Sequence, residues 1–164
     1  MSAHVIENDD IQDLYRELIL DHARAPRHFG RLDDATHEAQ GINPLCGDKL
    51  ALYLRVDGDG TIAASTFEGS GCAISVASAS LLTETVTGLP IDKAEALFKS
   101  ITGRLTATTG SPDTEFEGVL LQRVDKLHAL DGVREFPSRV KCATLAWHAL
   151  HSALASDTKP ATTE

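Results

Sequence analysis

A chain of 164 residues with 42% hydrophobic and 24% charged content is long enough to bury a core as one domain without cross-links. Lys and Arg number 15 against 24 Asp and Glu, a net charge of −9, which argues against nucleic acid or an anionic membrane as the main partner. No signal-type segment opens the chain and no stretch is long enough to span a bilayer. Three cysteines in a chain that reads as cytoplasmic point to thiol chemistry or metal binding rather than a disulfide framework.

Residues 1–9 read as a flexible tail. Ile11, Leu14, Leu18 and Ile19 recur at helical spacing and predict a helix over 10–24, capped by Asp9 or Asp10 and ended by Pro26. A loop over 26–35 and a short strand over 36–42 follow. Leu50, Leu52, Leu54 and Val56 alternate with Lys49, Ala51, Tyr53 and Arg55, the pattern of a half-buried strand over 49–56. Asp57-Gly58-Asp59-Gly60 is a turn, and 61–67 reads as the returning strand. Gly69, Ser70 and Gly71 form a flexible break.

Helices are predicted over 73–87, stopped by Gly88-Leu89-Pro90, then over 91–101, 113–130 and 137–155. The tail from 156 to 164 is polar. Early strands and late helices predict an α+β fold over 10–155: a small antiparallel sheet of about three strands, covered on one face by helices.

Within Asn43-Pro44-Leu45-Cys46-Gly47-Asp48, Cys46 and Asp48 share the parity of Leu50 and Leu52. If extension begins by Cys46, both lie at the edge of the helix-covered face. A turn centred on Gly58 and Asp59 pairs Val56 with Thr61, Asp48 with Gly69 and Cys46 with Gly71, which makes Cys72 a neighbour of Cys46. Cys72 precedes a helix N-terminus, and Arg139 and Lys141 flank Cys142; both settings favour a thiolate. Three thiolates and a carboxylate suit Zn²⁺, and thiolates also hold iron–sulfur clusters. Taken singly, each thiol also reads as a small buried hydrophobe and Asp48 as a strand-edge carboxylate. The spacing alone does not bring Cys142 to the others.

The runs Asn43 to Asp48, Phe67-Glu68-Gly69-Ser70-Gly71-Cys72-Ala73-Ile74-Ser75 and Arg139-Val140-Lys141-Cys142-Ala143 resemble the three cysteine motifs of the IscU/NifU N-terminal family of iron–sulfur cluster assembly proteins. Leu14-Tyr15, Asp21-His22, Pro26-Arg27 and Gly30 resemble its N-terminal signature. The resemblance runs from about Leu14 to Leu150 and is nearest to the SufU-type branch. Lys141 stands where scaffold proteins carry His, Phe136-Pro137-Ser138-Arg139-Val140-Lys141 departs from their Leu-Pro-Pro-Val-Lys motif, and the stretch between Cys72 and Cys142 is long.

The resemblance implies an IscU-like fold, a zinc ion on Cys46, Asp48, Cys72 and Cys142, and Cys46 as acceptor of persulfide sulfur from a SufS-type cysteine desulfurase. It implies that a histidine of the desulfurase takes the place of Cys46 on the metal, that sulfur passes to a downstream SUF assembly complex, and that Arg139 supports the site electrostatically. The alternatives are a scaffold that assembles a transient [2Fe–2S] cluster on the same residues, and a structural zinc module. A monomer and a weak dimer are equally compatible with the sequence. His22 reads as a packing or capping residue, and His148 and His151 lie away from the motifs.

Overall fold

A computed structural model describes residues 8–44, 46–106, 126–155 and 161–162. The elements are α1 (Asn8–Arg24), β1 (His37–Asn43), β2 (Asp48–Val56), β3 (Ile62–Ser70), α2 (Ala73–Val86), α3 (Ile91–Thr106), a 3₁₀ segment (His128–Glu135), α4 (Pro137–Leu154) and β4 (Ala161–Thr162). The strands lie in the order β3-β2-β1-β4. β1, β2 and β3 pair antiparallel, as expected. β4 comes from the stretch read as a polar tail and runs parallel to β1, pairing Gly41 with Ala161 and Ile42 with Thr162.

Period-two alternation sends Leu50, Leu52 and Leu54 of β2 into the core. Tyr53 points the other way yet is also buried, its hydroxyl donating to Glu68 Oε1 at 2.5 Å. The hairpin register differs from the expected one. Val56 pairs with Ile62 rather than Thr61, and Ala63 is an extra residue between the pairs Val56–Ile62 and Arg55–Ala64. Lys49 therefore meets Ser70, and the level of Asp48 is Gly71 instead of Gly69. A bulge on β3 leaves the alternation of β2 untouched, so pattern reading cannot detect it.

α4 packs on β1, β2, α2 and α3, and α1 packs on α2. The core centres on Trp147, Phe67, Leu81, Leu82, Leu97 and Leu145. α2 is buried along most of its length, which explains its small residues and its lack of a polar face. Its serines are satisfied by neighbouring elements. The Ser78 hydroxyl donates to the Ala143 carbonyl at 2.5 Å, and Ser80 Oγ accepts the Arg27 N–H at 2.8 Å and lies 2.7 Å from His22 Nδ1. His22 is buried with Nε2 3.3 Å from Glu84 Oε1. Burial and the nearby Arg27 push its pKa down despite Glu84, so it is a neutral packing residue.

Gly41 lets α4 approach the sheet: a Cβ there would stand 3.1 Å from Leu145 Cδ1. This close approach carries Cys142, one turn earlier on α4, to the end of β1. α3 runs five residues beyond its expected end, to Thr106. Of the helix expected over 113–130, residues 113–125 lie outside the described residues, and His128 to Leu130 belong to the 3₁₀ segment. No helix among the described residues is long and apolar enough to cross a membrane.

Candidate metal and thiol site

Asp48 opens β2 on its inward face and is 2% exposed. It meets the start of α2, where Cys72 is the N-cap and makes no side-chain cap of its own. Asp48 supplies the cap from the sheet. Its Oδ1 accepts the Cys72 N–H at 3.0 Å, and its Oδ2 accepts the Ser75 hydroxyl proton at 2.6 Å. Burial alone pushes the Asp48 pKa up. Hydrogen bonds from Ser75, Cys142 and Cys72 outweigh it, and the carboxyl titrates below its ordinary value. The fit depends on Gly71, where a Cβ would lie 2.8 Å from Asp48 Oδ1.

Cys142 sits in the second turn of α4 and is 3% exposed. Its Sγ lies 3.8 Å from Cys46 Sγ and 3.8 Å from Asn43 Nδ2. Burial, then contacts with Cys72 and Asp48, push its pKa far up. This corrects the expectation that Arg139 and Lys141 favour its thiolate. Arg139 lies exposed in the first turn of α4, where its charge is screened by water, whereas the thiol is enclosed.

Cys46 is exposed, in the turn that Gly47 closes by donating its N–H to Asn43 O at 2.8 Å. The strand begins only at Asp48, so strand parity governs the carboxylate and not the thiol. Cys46 Sγ meets Cys142 Sγ, a contact that the strand register does not foresee. Cys72 is half-buried and lies against the carboxylate, with Sγ 3.8 Å from Asp48 Oδ2 and 3.6 Å from Ser75 Oγ.

The ligand atoms of Cys46, Asp48 and Cys142 lie within 4.8 Å of one another, and Cys72 adjoins them through Asp48. Two thiolates each about 2.3 Å from a tetrahedral ion are about 3.8 Å apart. The Cys46–Cys142 separation of 3.8 Å matches that edge. A buried thiol with a strongly raised pKa is also a donor that becomes a thiolate only beside a cation. The donor set therefore fits a tetrahedral, sulfur-preferring ion. Ser75 and Asn43 touch these donors, and sequence reading assigned neither a role. The available signal was a serine three residues into a helix whose N-cap is a cysteine, a position that usually serves the cap.

The family described as the NifU-like N terminal domain matches residues 14–160. The zinc-dependent sulfurtransferase SufU of Bacillus subtilis is 35% identical over 150 residues, covering 92% of this chain and 95% of that protein. The iron–sulfur cluster assembly scaffold protein IscU of Thermotoga maritima is 38% identical over 147 residues, covering 90% and 96%. A solved structure described as an iron–sulfur cluster assembly scaffold protein for the SUF system, from Fervidobacterium islandicum, superposes with a TM-score of 0.71 at 31% identity, covering 84% of this chain and 94% of that one.

Proposed function

The chain belongs to the family of NifU-like N-terminal domains of iron–sulfur cluster assembly, and from that premise we propose that it is a zinc-dependent sulfurtransferase. It accepts persulfide sulfur from a SufS-type cysteine desulfurase and hands it to the SUF assembly complex, in the cytoplasm. The observation that carries this reading is the contrast in burial within one donor set: Cys46 is exposed, while Asp48 and Cys142, within 4.8 Å of it, are buried.

Cys46, Asp48, Cys72 and Cys142 are the residues that would hold the zinc ion. Zinc bound there supplies the positive charge that keeps its thiol ligands deprotonated at neutral pH. Cys46 reaches a partner because its turn faces solvent. Its thiolate attacks the outer sulfur of the desulfurase persulfide; the new S–S bond forms on Cys46 as the old one breaks, and the desulfurase cysteine leaves as a thiolate. The sulfane sulfur, with its proton, is then carried on Cys46. Asp48 is held from the helix side by Ser75 and by the Cys72 N–H, and Cys142 is packed beneath α4, so three donors remain in place while Cys46 reacts. Arg139, exposed in the first turn of α4, supports the site electrostatically.

Native mass spectrometry with metal analysis, followed by a desulfurase assay, tests the reading. The expected result is one tightly bound zinc per chain and a rise in desulfurase turnover that Cys46→Ala abolishes. Purified protein carrying iron and sulfide without zinc would overturn it in favour of a cluster scaffold. Full stimulation by Cys46→Ala would remove Cys46 as the acceptor.

A further inference from the structure

We propose that Ser75 is a positioning residue of this site: its hydroxyl holds the Asp48 carboxylate in the orientation from which the carboxylate binds the ion. The inference rests on the metal reading above and extends it to a residue that is not itself a donor.

Ser75 is fully buried in the first turn of α2 and has one hydroxyl proton to give. Three acceptors lie around it: Asp48 Oδ2 at 2.6 Å, the Cys142 carbonyl oxygen at 3.4 Å and Cys72 Sγ at 3.6 Å. The carboxylate oxygen is nearer than either of the others, and 2.6 Å is the length of a strong O–H···O bond to a carboxylate. The proton therefore goes to Asp48. In a capping box a Glu or Gln at the third helical position reaches back to the N-cap N–H. Here Ser75 points outward to Asp48, and Asp48 takes the Cys72 N–H with its other oxygen. The carboxylate is thus fixed at both oxygens by the helix that carries Cys72.

One hydroxyl consequently touches three of the four donor residues, and it is anchored on a helix packed on the sheet and on α4. Its importance would be greatest while Cys46 is engaged with a partner persulfide, because Asp48, Cys72 and Cys142 are the residues that would then hold the ion. Loss of a hydrogen-bond partner behind a metal ligand typically lowers metal affinity about 10–100-fold.

The test compares full-length Ser75→Ala with Ser78→Ala. Ser78 is equally buried on the same helix, and its bond runs to the Ala143 carbonyl rather than to a donor side chain. Three quantities are read: the visible bands of the Co²⁺-substituted protein, the rate of Zn²⁺ release to a chromogenic chelator, and hydrogen exchange of the Cys72 amide in metal-free protein. Ser75→Ala is expected to shift the Co²⁺ bands, release Zn²⁺ about tenfold faster and speed Cys72 exchange. Ser78→Ala is expected to change none of them, and Ser75→Thr, which keeps the hydroxyl, to return the wild-type bands. If Ser75→Ala does not fold, Ser75→Thr decides: wild-type bands uphold the role of the hydroxyl and altered bands overturn it. Wild-type bands and release rate in a folded Ser75→Ala would overturn the proposal, as would equal changes in Ser78→Ala. A wild-type protein that gives no thiolate-coordinated Co²⁺ sinks the metal reading instead. Cys72 exchange then decides alone whether Ser75 holds Asp48, with faster exchange in Ser75→Ala upholding it and unchanged exchange overturning it.

Discussion

The turn that carries Cys46 and the start of α2 contribute to one site in opposite ways. Cys46 lies in a solvent-facing turn, just ahead of the strand. At α2, Asp48, Ser75 and the Cys72 N–H form a buried, mutually satisfied set, with Cys142 enclosed beside them. Under the proposed function the difference separates reacting from holding: a group that meets another protein stays in water, and groups that stay in place are fixed by burial and by hydrogen bonds to a helix.

The largest effect expected from breaking this contrast is on Cys46. Cys46→Ala should reduce sulfur acceptance to background in a persulfide-labelling assay. Because the side chain is exposed, urea unfolding of the metal-free protein should change by no more than about 0.5 kcal/mol. Asp48→Ala should do the reverse in the absence of metal, destabilising the fold by about 3 kcal/mol, because two donors at the start of α2 lose a charged acceptor. The Asp48 pKa is lowered in the folded protein. Its stabilisation is therefore complete above the ordinary carboxylate range and is lost as pH falls through the folded value, and Asp48→Asn should flatten that acid limb.

Gly71→Ala adds only volume beside the Asp48 carboxylate. Its Cβ would press on Asp48 Oδ1 from 2.8 Å, so a cost of about 1–3 kcal/mol and weaker Zn²⁺ retention are expected by calorimetry. The smallest effect concerns the far side of α2, where His22 ties α1 to Ser80 and Glu84 among Asp21, Arg27 and Lys126. The pKa of His22 is lowered by burial and Arg27. Stability is therefore present above the usual histidine pKa and declines as pH falls through it toward the folded value. His22→Gln should flatten the slope of thermal unfolding between about pH 7 and 5, cost about 1 kcal/mol at pH 8 and leave sulfur acceptance intact.

Much of the fold is legible in local pattern. Alternation in β2 and spacing in α1 identified those two elements, because burial imposes a period of two or 3.6 residues. Three cysteine motifs in order pointed to the family, which the comparisons show. Strand parity placed Asp48 on the inward face, where the structure has it. Parity could not place Cys46, whose turn lies outside the strand, and alternation could not count the unpaired Ala63 that moves Gly71 level with Asp48. That Cys142 meets Cys46, that its thiol is raised rather than lowered, and that Ser75 serves Asp48 were decided only by the packing of α4 and α2 on the sheet. Contacts between residues 24 to 96 positions apart depend on how elements pack, and a local pattern carries no information about that.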